Sequence, residues 1–215
     1  LQEAGLTVHQ AEFTKGVYDR GQPLVQLGMV LATGLGTSLL PALRQHVIRH
    51  DEQALRSDFQ LTMRLSILLS GVATVGLVAI MPSVNQLLFG SPAGSDALAL
   101  FTISIVPATL IVVSTSVLQS FDKTRGLGWF VLLTMLVKAG LNIWLVPILG
   151  IAGASLATVG ALLPFLIFTL TRLPKSLWIS WVPKKWWGKL VVILLAVGIL
   201  ARLAYILGHS LFGAT

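Results

Sequence analysis

The chain has 215 residues, of which 55% are hydrophobic and only 11% charged, and its mean hydropathy is +0.86; a water-soluble fold of that size needs far more charge to clothe its surface. Cysteine is absent, which excludes disulfides and thiol-ligated metals within this stretch. A formal charge of +7 would suit nucleic acid, but the basic residues lie in short clusters between apolar runs, so no nucleic-acid partner is expected.

The chain opens at LQEAG with neither an initiator methionine nor a signal-peptide pattern, which reads as a stretch of a longer protein. Residues 1–21 read as an external connection and a helix start. Within 22–207 lie six apolar segments, each near the roughly 20 residues that a helix needs to cross hydrocarbon. They are Gln22–Leu43, Leu65–Leu88, Ala97–Leu118, Leu127–Val146, Ile151–Leu170 and Leu190–Leu207. Residues 208–215 form an external tail or the start of a further link. The segments are too long for barrel strands and lack alternation, so the expected fold is all-α and integral to a membrane, a bundle of about six transmembrane helices.

The first segment is preceded by Asp19 and Arg20 and opens with Gln22, Pro23 and Gln26; Gly28 and Gly34 are small positions that permit close helix approach. In the third, Pro107 is expected to bend the helix by removing a backbone donor. The fourth carries Lys138 and Asn142, four apart and so on one face. A lysine at that depth is costly unless it meets a polar cavity, a neighbouring helix or the lipid surface. Gly153 and Ala157 of the fifth give a small-residue packing face, and Pro164 a bend. Ahead of the sixth, WISWVPKKWW sets Trp178, Trp181, Trp186 and Trp187 beside Lys184 and Lys185, an interfacial anchor for membrane lipids.

The connections alternate in charge. Arg44, Arg49, Arg56 and Arg64, then Lys123 and Arg125, then Arg172, Lys175, Lys184, Lys185 and Lys189 fall in alternate links, whereas SPAGSD and the PILG turn carry no basic residue. Six crossings under the positive-inside rule place the basic links in the cytoplasm. No catalytic constellation emerges: there is no HExxH, no P-loop and no completed site around His46 and His50. Neither a metal nor a cofactor is implied, and an enzyme is not expected.

KGVYDRGQPLVQLGMVLATGLGTSLLPALRQ, from Lys15 to Gln45, and KAGLNIWLVPILGIAGASLATVGA, from Lys138 to Ala161, resemble the C-terminal half of bacterial polysaccharide-biosynthesis or oligosaccharide flippases of the stage V sporulation protein B and YtgP type. These belong to the multidrug/oligosaccharidyl-lipid/polysaccharide exporter superfamily, as do the lipid II flippases of the MurJ type. The resemblance implies a two-lobed carrier of which this chain forms most of one lobe, with the N-terminal lobe as its partner. It further implies an undecaprenyl-pyrophosphate-linked sugar as substrate and alternating access driven by a coupling ion or the membrane potential. Arg20 then corresponds to a cavity-mouth arginine, with Asp19, Gln22, Gln26, Lys138 and Asn142 as further cavity residues. A cation-coupled multidrug or small-molecule exporter of the same superfamily, or a membrane scaffold that transports nothing, are the competing readings.

Overall fold

A computed structural model describes residues 8–174, 177 and 184–212. In chain order the helices are α1 (Val8–Asp19), α2 (Gly21–Ile48), α3 (Glu52–Phe89), α4 (Ser95–Thr102), α5 (Ile105–Ser120), α6 (Leu127–Leu149), α7 (Ile151–Arg172) and α8 (Lys184–Phe212). No strand occurs among the described residues, so the fold is the expected all-α membrane bundle. Five stretches are long and apolar enough to cross a bilayer: α3, α4 with α5 taken together, α6, α7 and Trp186–Ile206 of α8. The remaining expected span falls in α2, whose 28 residues suffice by length, although its side chains at 31–33, 35–37 and 39 lie outside the described residues.

Helix α3 is the post of the bundle, packing against α2, α4, α5 and α8. Its 38 residues extend about 57 Å, well beyond a hydrocarbon core of about 30 Å. The expected span Leu65–Leu88 is its latter part; the stretch from Glu52 to Arg64 continues the same helix into the charged zone. Asp51 starts it by accepting the Ala54 N–H at 3.0 Å, which satisfies one of the unpaired donors of a helix start. Thr62, Ser66, Ser70 and Thr74 recur every fourth residue and are all buried, so one face of α3 is lined with short hydroxyls. Between membrane helices burial from water supplies little drive, and small residues that allow close packing do the work. Phe59 and Met63 of α3 then join Leu43, Val113, Val117, Leu118, Leu173, Leu177 and Leu190 in the main core.

The third expected span, which the sequence predicts as one bent helix, is interrupted as a regular α-helix at Ile103 and Ser104, where the backbone angles stay right-handed helical. Pro107 lies in the first turn of α5, and because it has no N–H the carbonyl of Ile103 loses its usual donor. The chain tightens just ahead, with Ile103 and Ser104 N–H groups bonding Leu100 and Phe101. Hydroxyls add further bonds around this junction: Thr102 donates to the Ala99 carbonyl at 2.7 Å, Ser104 to Phe101 at 2.7 Å, and Thr74 of α3 to Thr102 at 3.3 Å. Ser155 of α7 adds a bond to the Ala97 carbonyl at 2.7 Å. A break in a membrane helix persists only when such donors replace the missing ones.

Helices α6 and α7 form a hairpin turned at Gly150, whose φ of +58° and ψ of −132° suit glycine alone. No residue of α6 is buried; Trp129, Leu136, Ile143 and Trp144 are among its exposed side chains, a surface suited to lipid. The basic links gather at one end of the bundle. Arg44 reaches Asp122 at 3.4 Å, His46 bonds Asp58 at 3.0 Å, and Leu173 and Leu177 pack with Leu43 and Val117. Gly94 of the basic-free link lies against Val17 and Ile151, near the other hairpin turn. Arg44 and Asp122 are 57% and 82% exposed, so their pair marks proximity and adds little stability. Single cysteines at Gln53 and Asp96, both exposed, are expected to react with an impermeant thiol reagent from opposite sides of the membrane, Gln53 from the cytoplasm. Reaction from one side would refute that topology.

Candidate functional site

The polar opening of α2 is held at the basic-free end. Arg20 bridges α1 and α2 with helical backbone angles, and its N–H still bonds the Gly16 carbonyl at 3.3 Å. Gly21 allows the approach that fixes this turn: a methyl there would stand 2.5 Å from Phe101 Cδ1 and 3.1 Å from Leu98 Cδ2 of α4. Side chains on either side of Asp19 diverge from this clamped point.

Tyr18 faces the α6–α7 hairpin. Its hydroxyl lies 2.8 Å from Thr158 Oγ1. Thr158 itself donates to the Ala154 carbonyl at 3.0 Å, so its oxygen accepts and the tyrosine O–H donates. The Tyr18 ring packs on Phe101 with centroids 5.0 Å apart, and Lys138 Nζ sits 5.9 Å from the Tyr18 ring centroid. Asn142, one turn along α6, has a buried Oδ1 without a hydrogen-bond partner. Arg20 turns the other way. Its guanidinium carbon lies 5.3 Å from the Phe89 ring centroid at the end of α3, and its Nη1 is buried without a partner. Asp19 is exposed, as are Gln22 and Gln26 on α2.

The expected residues therefore form two groups, Lys138 beside Tyr18 with Asn142 one turn along α6, and Arg20 beside Phe89. Among the described residues the ion pairs are Arg44–Asp122 and His46–Asp58, and neither Arg20 nor Lys138 meets a carboxylate. An aromatic face offsets about 0.5–2 kcal/mol of an unpaired cation's cost but leaves its N–H groups free to bind an anion. Arginine's planar fork matches a diphosphate in two bonds, whereas lysine acts as a compact point charge.

The packing residues differ among themselves. A methyl on Gly153 would collide with the Leu145 carbonyl, and one on Gly28 would stand 2.6 Å from Ile105 Cδ1, whereas one on Gly34 would meet nothing within 4 Å. Ala157 is fully buried. Pro164 is exposed within a continuous α7, while Pro107 marks the break described above. Trp186 packs against the main core and Trp187 is 47% exposed, their rings edge-on at 5.8 Å. Trp178 and Trp181 lie outside the described residues, as do the side chains of Lys184 and Lys185. Arg202 leans on Tyr205 at 5.0 Å.

Sequence reasoning passed over Tyr18, Thr158 and Phe89 as candidates. The available signal was an aromatic residue two places ahead of a membrane-edge arginine, since Tyr and Trp carry an apolar body with a polar tip. Thr158, inside a run of Gly and Ala, looked like a packing residue.

Comparison with known proteins gives consistent matches. A family model described as lipid II flippase MurJ matches residues 21–214. The chain is 36% identical to the uncharacterized membrane protein YabM of Bacillus subtilis over 186 residues, which are 84% of this chain and 34% of that protein. It is 31% identical to the probable multidrug resistance protein NorM of Streptococcus pneumoniae over 137 residues, 59% of this chain and 30% of that one. Identity to the lipid II flippase MurJ of Bacillus subtilis is 24% over 142 residues, 64% of this chain and 26% of that one. The chain thus spans between a quarter and about a third of the length of these curated relatives.

Proposed function

This chain belongs to the lipid II flippase MurJ family, and on that premise we propose that it supplies most of one lobe of a two-lobed carrier that moves a polyprenyl-diphosphate-linked sugar across the membrane. Members of the family are multi-pass proteins of the bacterial inner membrane, and the apolar helices here fit that place. The observation that carries the reading is the pair of cations Arg20 and Lys138, each set on an aromatic ring without a carboxylate among the described residues. An anionic headgroup is the partner such groups lack. The prenyl tail stays in lipid while Arg20 engages the diphosphate and Asp19 and Gln22 orient it. Lys138, Asn142 and Gln26 line the path taken by the sugar between this lobe and an N-terminal one, and the exchange of access is driven by an ion or the membrane potential.

A small-cation exporter is the competing reading, through the similarity to NorM. Such a cargo calls for acidic cavity residues, and within the five described spans carboxylates occur only at the charged start of α3 and at Asp96, exposed in the first turn of α4. Full-length protein in vesicles is expected to move a fluorescent polyprenyl-diphosphate disaccharide from one leaflet to the other and to leave ethidium gradients unchanged. Ethidium transport without movement of the lipid would overturn the proposal.

A further inference from the structure

We infer that Tyr18 is a positioning residue for Lys138: its ring holds the ammonium at one place over α6, and its hydroxyl, bonded to Thr158, fixes the ring. The inference rests on the carrier reading of the site and adds the device that aims its second cation. Three contacts meet on this one side chain. Lys138 Nζ is 5.9 Å from the ring centroid, Thr158 Oγ1 is 2.8 Å from the hydroxyl, and Phe101 packs at 5.0 Å on the ring.

A lysine side chain has four rotatable carbons and, unlike arginine, no planar fork to pre-set its direction. Left alone on α6, which has no buried residue, Lys138 would reach for the headgroup region. The negative face of the tyrosine ring gives it a reason to stay. That ring is itself held from two elements, by α7 through Thr158 and by α4 through Phe101, while Val17, its neighbour in α1, is buried against Gly94. Tyr18 therefore sets Lys138 relative to the turn that carries Arg20, so the spacing of the two cations is a property of the α1–α2 junction as well as of α6. Because Thr158 keeps its own bond to Ala154, loss of the tyrosine hydroxyl leaves no orphaned donor. The hydroxyl steers the ring, and the ring steers the cation.

The test uses the full-length protein with lysines labelled by 13C-dimethylation, which retains their charge, the Lys138 signal being assigned by its loss in Lys138→Arg. In the wild type that signal is expected to be displaced by the tyrosine ring current. Tyr18→Phe should keep the displacement and lower transport about twofold, whereas Tyr18→Leu should return the signal to the free-lysine position and lower transport about tenfold. Recovery of both readouts in Tyr18→Trp, which restores an aromatic face, would support the positioning role. An unchanged Lys138 signal in Tyr18→Leu would overturn it, and so would wild-type transport by that variant. A Lys138→Leu protein that transports normally would remove the carrier role of the site and this proposal's importance with it, yet leave the spectroscopic displacement intact, so the two failures are distinguishable.

Discussion

Alanine at Gly153 is expected to destabilise the bundle by about 1–3 kcal/mol, the range for overpacking a close contact. The added methyl would overlap the Leu145 carbonyl carbon and oxygen and press on the Val146 nitrogen. Those are backbone atoms of α6, so no side chain can swing aside. The hairpin cannot easily widen, because Gly150 holds its turn at angles other residues avoid, and α6 makes its main packing contact with α7. Gly34→Ala is the matched control: its methyl meets nothing within 4 Å, and removing a helical glycine should be neutral or stabilise by about 0.5–1 kcal/mol. The temperature at which detergent-solubilised protein loses its monodisperse peak separates the two. A Gly153→Ala protein as stable as wild type would mean that the α6–α7 contact is loose enough to admit a methyl.

Transport is expected to fall about a hundredfold in Arg20→Ala, the effect of leaving a charged group of a bound substrate without its partner. Arg20→Lys should recover part of this, since lysine restores charge but not the two-bonded fork. Asp19→Asn should matter less, because the Asp19 side chain is exposed and pairs with neither cation. Initial rates of lipid movement at matched expression provide the measurement. Arg20 already has a resting place on Phe89 with one nitrogen buried and unpartnered, so the side chain need only turn, not reorganise the helix. Equal rates for wild type and Arg20→Ala would leave the motif as a helix-start anchor.

Lipid explains how much of this was readable from sequence. Hydrocarbon admits few polar side chains, so the spans announce themselves by composition, and the alternation of basic links agrees with the meeting of Arg44 and Asp122, and of Leu43 and Leu173, at one end. What composition does not encode is where a helix starts outside lipid. Glu52–Arg64 is charged and so reads as lying outside the second span, although it is continuous helix with it. Pro107 signalled a bend, but the outside donors at that point were not legible, because Thr74 and Ser155 were indistinguishable from hydroxyls bonded to their own helix. Gly28 and Gly34 look equivalent as letters and differ only in whether Ile105 lies opposite. At the candidate site, Lys138 and Asn142 were visible as polar residues in an apolar span. The relation of Lys138 to Tyr18 was not, because it joins positions more than a hundred residues apart, as does the bond from Tyr18 to Thr158 with its separation of 140.

The broken third span also imposes a calendar on biogenesis. The Thr102 carbonyl is met by Thr74, which lies 28 residues earlier and is already in the bilayer when the interruption emerges. The bond from Ser155 to Ala97 bridges 58 residues in the other direction, about 3–12 s of synthesis at 5–20 residues per second. Helices α3, α4 and α5 can therefore leave the insertion machinery with the Thr74–Thr102 bond already made, while the Ala97 carbonyl gains the Ser155 hydroxyl only once α7 has been synthesised. The α6–α7 hairpin arrives afterwards as a second unit and docks on a surface that is waiting for it.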